Sequence, residues 1–258
     1  QTAFIVASKS GSTLEPNILK AYFYQRMVEA VGAEQAAAHF IAITDPGSAV
    51  EQAARKDGYR FIFHGVPEIG GRFSALSNFG LVPAAVIGVD CRRFLESAQQ
   101  MVSVCTATTA ADNPGVLLGC MLGVATLNGR DKLTFIASPQ VASMGAWLEQ
   151  LIAESTGKQG KGVLPLDGEP VGSPAVYGDD RVFVYLRHNG SVDAEQDQAV
   201  EQLEQTGQPV IRIDMSDVYN VGQEMFRWEI ATAVIGSLIE VNPFDQPDVE
   251  ASKIETRK

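Results

Sequence analysis

The stretch Ala3-Phe4-Ile5-Val6-Ala7-Ser8-Lys9-Ser10-Gly11-Ser12-Thr13 decides the fold class, because an apolar run passes into a polar loop directly before a helix. Residues 2–7 predict a β-strand. Residues 14–31 predict an amphipathic helix with Pro16 in its first turn, where the missing N–H costs little. Strand, loop and helix in this order are typical of an α/β fold.

The same alternation continues along the chain. Leu133-Thr134-Phe135-Ile136-Ala137-Ser138 echoes the first strand and again leads through a polar loop into a helix, residues 143–156, which indicates two related halves. Further strands are predicted at 39–44, 59–64, 181–187 and 209–215, and further helices at 49–57, 90–105, 114–127, 194–205 and 222–241. This pattern predicts parallel sheets covered on both faces, whose ligands lie beyond the carboxyl ends of the strands.

Composition limits the class of protein. With 258 residues, 45% of them hydrophobic, the chain can bury a sizeable core. The net charge of −11 argues against a general nucleic-acid or anionic-membrane surface, so an anionic ligand needs a local site. The longest apolar run, residues 114–127, is shorter than the roughly 20 residues of a membrane helix. Cys91, Cys105 and Cys120 lack metal-ligand spacing, and we interpret them as reduced, buried thiols of a cytoplasmic protein.

Two polar loops follow predicted strands. The loop 8–13 brings four hydroxyls, free amides and Lys9 to a helix N-terminus, which favours phosphate binding; a simple helix cap is the alternative. The second loop, Gly70-Gly71-Arg72-Phe73-Ser74-Ala75-Leu76-Ser77, lets an arginine approach an anion with only backbone around it. The alternative there is a tight turn with a solvated arginine.

The helix 143–156 carries a candidate acid–base residue. Gln150 and Glu154 lie four residues apart and share one face, opposite a buried stripe of apolar residues. Gly157 ends the helix, so Glu154 lies in the last turn, where the helix dipole disfavours a carboxylate. A base or acid of this kind suits proton transfer, whereas the plain alternative is a solvent-facing glutamate.

The end of the chain holds a second polar segment. Pro243 and Pro247 break the long helix and start another, which places Gln246 at the new N-terminus and Lys253 about two turns along. An exposed helix charge is the alternative for Lys253.

Four strings in this order resemble the glucose-6-phosphate isomerase family. They are Ser8-Lys9-Ser10-Gly11-Ser12-Thr13-Leu14-Glu15, Gly70-Gly71-Arg72-Phe73-Ser74, Gln150 with Glu154-Ser155-Thr156-Gly157-Lys158, and Asn242-Pro243-Phe244-Asp245-Gln246 with Lys253. The resemblance covers almost the whole chain. The segment 244–253 is most similar to short isomerase domains fused behind a transaldolase.

The resemblance implies two sugar-isomerase (SIS) domains of flavodoxin-like type, each a three-layer α/β sandwich with a mainly parallel sheet. We expect the first domain at residues 1–89 with its N-terminal part missing, a helical connecting segment at 90–131, and the second domain at 132–258. It also implies a cytoplasmic homodimer that uses no metal or organic cofactor.

The implied activity interconverts glucose 6-phosphate and fructose 6-phosphate through a cis-enediol. Glu154 would be the base, Arg72 would stabilise the enediolate, and Lys253 would assist ring opening. Substrate would be bound by Ser8, Lys9, Ser10, Ser12, Thr13, Gly71, Gln150 and Gln246. The alternatives are a non-catalytic sugar-phosphate-binding module and an isomerase for another sugar phosphate, such as mannose 6-phosphate.

Three departures from the family pattern produce further expectations. A Gly-Gly-Ser phosphate loop is expected upstream of Gln1, so we expect residues 1–258 alone to be inactive or poorly folded. Asp180 stands near the place of the family's ring-opening histidine, with His188 as a substitute for that histidine. Pro16 replaces a phosphate-binding threonine of larger enzymes.

Overall fold

A computed structural model describes residues 2–256, apart from the side chains of Val249, Glu250 and Lys253. The chain divides into two compact units, residues 1–91 and residues 92–258. Among the described residues, no helix is long and apolar enough to cross a lipid bilayer.

The first unit is built on a parallel sheet in the order β1-β2-β3. Phe4 lies opposite Phe40, and Ile41 opposite Phe61, in register. Its elements are β1 (Phe4–Ala7), α1 (Leu14–Val31), α2 (Ala33–Ala36), β2 (Phe40–Thr44), α3 (Ala49–Asp57), β3 (Phe61–His64) and α4 (Asn78–Val86).

The core of the first unit lies between the sheet and two of its helices. Phe40 and Ala42 alternate along β2 towards one face and are fully buried there. They pack with Met27 of α1 and with Val50 and Ala54 of α3. The central strand therefore positions the loops that follow the strands.

The second unit is built on a parallel sheet in the order β5-β4-β6-β7. Lys132 lies opposite both Leu164 and Arg181, so β4, β5 and β6 begin together at one edge. Its elements are α5 (Cys91–Val104), α6 (Pro114–Leu127), β4 (Lys132–Ala137), α7 (Met144–Thr156), β5 (Leu164–Leu166), β6 (Arg181–His188), α8 (Ala194–Gln205), β7 (Val210–Met215), α9 (Val221–Leu238) and α10 (Pro247–Thr256).

Helices cover both faces of this second sheet. Phe135 packs edge-to-face on Trp228 of α9, with 5.6 Å between ring centroids. The next residue, Ile136, packs in a cluster with Val200 and Leu203 of α8. Because successive strand residues point to opposite faces, α8 and α9 cover opposite sides. The α/β class with parallel sheets is confirmed.

Helix α6 packs along α9 through three glycines. A Cβ built at Gly115, Gly119 or Gly123 would lie 2.6–2.7 Å from side-chain atoms of Ile230, Val234 or Leu238. This helix therefore belongs to the packing of the second unit. The domain boundaries at 89/90 and 131/132 stay predictions.

The end of α7 lies at the amino edge of the second sheet, where the strands begin. Thr156 Oγ1 accepts a hydrogen bond from the Val163 amide at 3.0 Å, one residue before β5. Leu164 N then donates to Asp131 O at 2.7 Å, just before β4. The predicted helix end is thus placed opposite the carboxyl edge where parallel sheets usually bind ligands.

Candidate functional site

The loop after β1 is fixed by the end of β2. Ser8 N donates to Ile43 O at 3.0 Å, and Thr44 Oγ1 donates to Ser8 O at 2.6 Å. Ser8 is buried, and its hydroxyl accepts from Gly11 N at 3.2 Å. The buried Ser8 hydroxyl therefore stabilises the conformation of the loop.

The other hydroxyls of this loop face solvent at the start of α1. Ser10, Ser12 and Thr13 are exposed, and the Ser10 and Ser12 hydroxyl oxygens lie 2.7 Å apart. Gly11 between them has φ +74°, and a Cβ there would lie 2.8 Å from Val50 N, so the loop requires glycine. Exposed hydroxyls at the partly positive end of an 18-residue helix can bind an anion.

Lys9 ties this loop to the segments after β2 and β3. Its ammonium donates to Asp45 Oδ1 at 2.8 Å and to Val66 O at 2.9 Å. The ammonium also lies 5.3 Å from the centroid of the Phe79 ring. The carboxylate of Asp45 compensates the charge of Lys9, and the observed contacts of Lys9 hold the loop in place. Phosphate binding by Lys9 stays a prediction.

Arg72 lies in a 3-10 turn, Gly71–Phe73, in the segment after β3. It is 4% exposed, so it is not the solvated arginine of the plain alternative. The turn is closed by Ser74 Oγ, which donates to Gly71 O at 2.6 Å. Apart from its chain neighbours, no described atom lies within 4 Å of a Cβ placed at Gly71, and its φ is not positive, so neither a close contact nor a strained backbone requires glycine here.

Gln150 and Glu154 share the exposed face of α7, as the spacing predicts. Gln150 Nε2 donates to Glu154 Oε1 at 3.2 Å. The opposite face is anchored by Leu148, Leu151 and Ile152, which are fully buried. A rigid helix thus presents the carboxylate and amide together.

Lys158 joins the end of α7 to the segment before α10. Its side chain is 4% exposed, and its ammonium donates to Asn242 O, to Asp245 O at 2.5 Å and to Asp245 Oδ1 at 2.7 Å. Gln246, the predicted sugar-binding amide, is the exposed neighbour of Asp245. The side chain of Lys253 lies outside the described residues.

Lys158 occurs in one of the strings that resemble the family, but its sequence context predicts no role for it. Its contacts lie more than 80 residues away along the chain. The available signal was a lysine directly after a helix-ending glycine, in a loop otherwise rich in glycine.

Asp180 lies at the same amino edge as the end of α7 and is held in an ion pair. Its Oδ2 lies 2.9 Å from Lys132 Nζ, and the hydrogen bond from Lys132 lowers the pKa of the Asp180 carboxyl. A carboxyl held ionised is a poor proton donor for ring opening.

His188 lies at the opposite edge. It is the last residue of β6, where its backbone N donates to Ser138 Oγ at 3.0 Å and its Nδ1 lies 3.0 Å from Ser191 Oγ. The length of β6, roughly 23 Å, separates this edge from the amino edge. Within one chain, this position places His188 away from Glu154, and its role in ring opening stays a prediction.

A pocket of about 860 Å³ also opens at the amino edge of the second sheet. It is lined by Ala153 and Gly157 of the α7 end, by Lys161, and by the end of α9. The described lining does not include Glu154 or Gln150, so the pocket flanks the candidate residues and is distinct from them.

Comparison with known proteins identifies the relatives of this chain. The family model of phosphoglucose isomerase matches residues 1–170. The chain is 30% identical to a glucose-6-phosphate isomerase of Parabacteroides distasonis, over 98% of this chain and 65% of that protein. It is 32% identical to a glucose-6-phosphate isomerase of Rubrobacter xylanophilus, over 96% of this chain and 66% of that protein. The chain therefore spans about two thirds of the length of these curated relatives.

Solved structures show the same fold. A hypothetical protein of Thermus thermophilus matches with a TM-score of 0.89 and 27% identity, covering 99% of this chain and 71% of that one. A glucose-6-phosphate isomerase of Chlamydia trachomatis matches with a TM-score of 0.78 and 22% identity, covering 100% of this chain and 59% of that one.

The family model covers well over half of the chain, and it includes the loop after β1, the Arg72 turn and the end of α7. This chain belongs to the phosphoglucose isomerase family.

Proposed function

We propose that this protein interconverts glucose 6-phosphate and fructose 6-phosphate through a cis-enediol intermediate. The observation that carries the proposal is the exposed Glu154 carboxylate, which is hydrogen-bonded to Gln150 on α7, a helix whose opposite face is buried. Relatives that cover nearly all of this chain are named glucose-6-phosphate isomerases.

The chemistry needs one base and one cation. Moving a proton between adjacent carbons requires a carboxylate that reaches both carbons, and we assign this role to Glu154. Negative charge then develops on the two oxygens of the enediolate. A guanidinium is suited to stabilise it, and we assign this role to Arg72, in the turn after β3.

The remaining residues bind and orient the sugar phosphate. We assign the phosphate to the hydroxyls of Ser10, Ser12 and Thr13, with Ser8 and Lys9 supporting the loop. Gln150 and Gln246 position the sugar, and Lys253 assists ring opening. The exposed hydroxyls at the N-terminus of α1 support the phosphate assignment.

Replacing the base is the decisive experiment. In the complete protein, Glu154→Gln should lower kcat by about a thousandfold and leave KM nearly unchanged, because only proton transfer is lost. A coupled assay measures both constants. Glu149→Gln, an exposed neighbour on α7, is the matched control. Unchanged turnover in Glu154→Gln would overturn the proposal.

A second candidate function is a non-catalytic sugar-phosphate-binding module. It is favoured by the ion pair of Asp180 with Lys132 and by the distant position of His188, since neither supplies a ring-opening acid beside Glu154. Calorimetric binding of fructose 6-phosphate without product formation would favour this function. Turnover of mannose 6-phosphate would instead extend the specificity of an isomerase.

We further propose a cytoplasmic homodimer, with a transaldolase region in the same protein. Leu117, Met121 and Val124 form an exposed apolar stripe on α6, with 42–50% of each side chain accessible, which suits burial in a subunit interface. The three cysteines are free thiols that are half-buried, not buried as the sequence predicts, and free thiols suit a reducing compartment. Light scattering and a transaldolase assay on the complete protein test these proposals.

A further inference from the structure

The buried ammonium of Lys158 is fully used inside the protein. A lysine ammonium has three N–H donors. Here they meet three oxygens, the carbonyls of Asn242 and Asp245 and the carboxylate of Asp245. A charge buried to this degree is retained only with such partners, so the contacts fix the geometry on both sides.

The backbone that carries Lys158 is itself rigid. Lys158 and Lys161 exchange backbone hydrogen bonds at 3.2 and 2.9 Å. A Cβ at Gly162 would lie 2.9 Å from Gly157 Cα, so the two strands of this tight loop are in contact. Thr156 Oγ1 closes the loop by accepting from Val163 N at 3.0 Å. Lys158 therefore projects from a fixed frame at the end of α7.

Lys158 stands between two residues of the proposed reaction. Glu154 precedes it by four residues, in the last turn of α7, and Gln246 directly follows its ion-pair partner Asp245. We infer that Lys158 is a positioning residue that holds the segment 242–246 against the end of α7, so that the base and the sugar-binding amide keep a fixed spacing. This role in catalysis rests on the proposed isomerase function.

Loss of the ammonium should loosen both segments together. Lys158→Met keeps most of the volume and removes all three donors, which leaves the oxygens of Asn242 and Asp245 without this partner. Arginine is no substitute, because a planar guanidinium does not match three oxygens around a point charge.

The test compares Lys158→Met with Lys161→Met in the complete protein. Lys161 is the matched control, since its ammonium also donates to a carbonyl after α9, Ile239 O at 3.0 Å, from a side chain that is 43% exposed. Hydrogen exchange should rise by about tenfold or more in residues 152–157 and 242–246 of Lys158→Met. In the same variant kcat should fall by about a hundredfold with KM within about threefold, because small misplacements penalise the chemical step.

Two results would overturn the inference. One is exchange in the segment 242–246 that matches the Lys161→Met control, and the other is wild-type kcat in Lys158→Met. If Lys158→Met does not fold, Asp245→Ala removes one of the three acceptors and should give the same pattern at smaller size. A wild-type protein without turnover would overturn the proposed function, whereas the exchange data decide separately whether Lys158 holds the two segments.

Discussion

The two units repeat one local structure and use it differently. In each, a buried serine directly follows the first strand, and its N–H donates a hydrogen bond to the neighbouring strand. Ser8 N donates to Ile43 O and Ser138 N to Leu186 O, both at 3.0 Å. A polar loop and a helix follow in both. At α1 the helix N-terminus presents exposed hydroxyls, whereas at α7 the carboxylate of Asp167 lies against Gly145 in the first turn.

This difference shows how the same local structure can carry different polar groups in the two units. A carboxylate beside the N-terminus of α7 supplies the negative charge that a phosphate would bring to α1. At the carboxyl edge of the second unit, the partial positive charge of the α7 N-terminus is thus already compensated by Asp167. Its candidate catalytic residue instead lies at the amino edge, at the far end of the same helix α7.

Crowding Asp167 should have the largest effect on the stability of either unit. In Gly145→Ala the new Cβ would lie 1.8 Å from Asp167 Oδ1, which should destabilise the second unit by about 1–3 kcal/mol. Urea unfolding followed by tryptophan fluorescence reports this unit, because Trp147 and Trp228 both belong to it. Adding Asp167→Ala should recover most of the loss; a double variant as unstable as the single one would show that the contact is not responsible.

The phosphate assignment predicts a smaller, unequal effect in the two loops. Ser12→Ala should raise KM by about tenfold with little change in kcat, because it removes a hydrogen bond that substrate and transition state share. Ser143→Ala, in the loop before α7, should leave KM unchanged. Steady-state kinetics on both variants measure the difference. Equal increases in KM would refute the assignment of phosphate binding to the loop before α1 alone.

Glu229 on α9 should make the second unit less stable as the pH rises from about 4.5 to about 8. Burial raises the pKa of its carboxyl from 4.5 to about 8. The stability linked to the protonated form is complete below pH 4.5 and is lost as the pH rises through about 8. Glu229→Gln should therefore raise Tm by a few degrees at pH 9 and leave it unchanged at pH 4, read by tryptophan fluorescence. Glu201→Gln, exposed on α8, should show no such trend.

Glu51 should make the stability of the first unit depend on pH in the opposite direction, with the smallest of these effects. A hydrogen bond from Gly47 N, then those from Arg55 and His64, lower the pKa of the Glu51 carboxyl to about 2. The stability linked to the ionised form is present above pH 4.5 and is lost as the pH falls through about 2. Glu51→Gln should lower the urea midpoint of β2 amide signals by NMR at pH 6, and the difference from wild type should vanish near pH 2.

Local signals in the sequence predict most elements correctly. The bounds of α1, α3, α6 and α8 are those expected, because their ends are set by nearby residues. Asn113 Oδ1 accepts from Val116 N at 3.1 Å before α6, and Asp193 Oδ1 accepts from Gln196 N at 3.1 Å before α8. Such caps act within a few residues, so a single sequence reveals them.

Elements with weak local signals escaped prediction. The strand β5 was missed because it has three residues and contains Pro165, which is tolerated at the edge of a sheet. The sequence predicts that helix α9 runs to Val241, whereas the helix ends at Leu238 and Glu240 adopts φ 60°.

Long-range placement escaped prediction as well. The anchoring role of Lys158 and the opposite edges occupied by His188 and the end of α7 depend on contacts between distant residues. The general rule that ligands lie at carboxyl edges directs attention to the loop after β1 and the Arg72 turn as candidate sites, but it does not point to Glu154.

The glycines of α6 also set a limit on how this chain can vary. Gly115, Gly119 and Gly123 allow α9 to approach closely, and the end of α9 leads directly into the segment 242–246. A single extra methyl group on α6 would push α9 outward and carry Gln246 with it. The position of Gln246 therefore depends on three glycines that lie more than a hundred residues earlier in the chain.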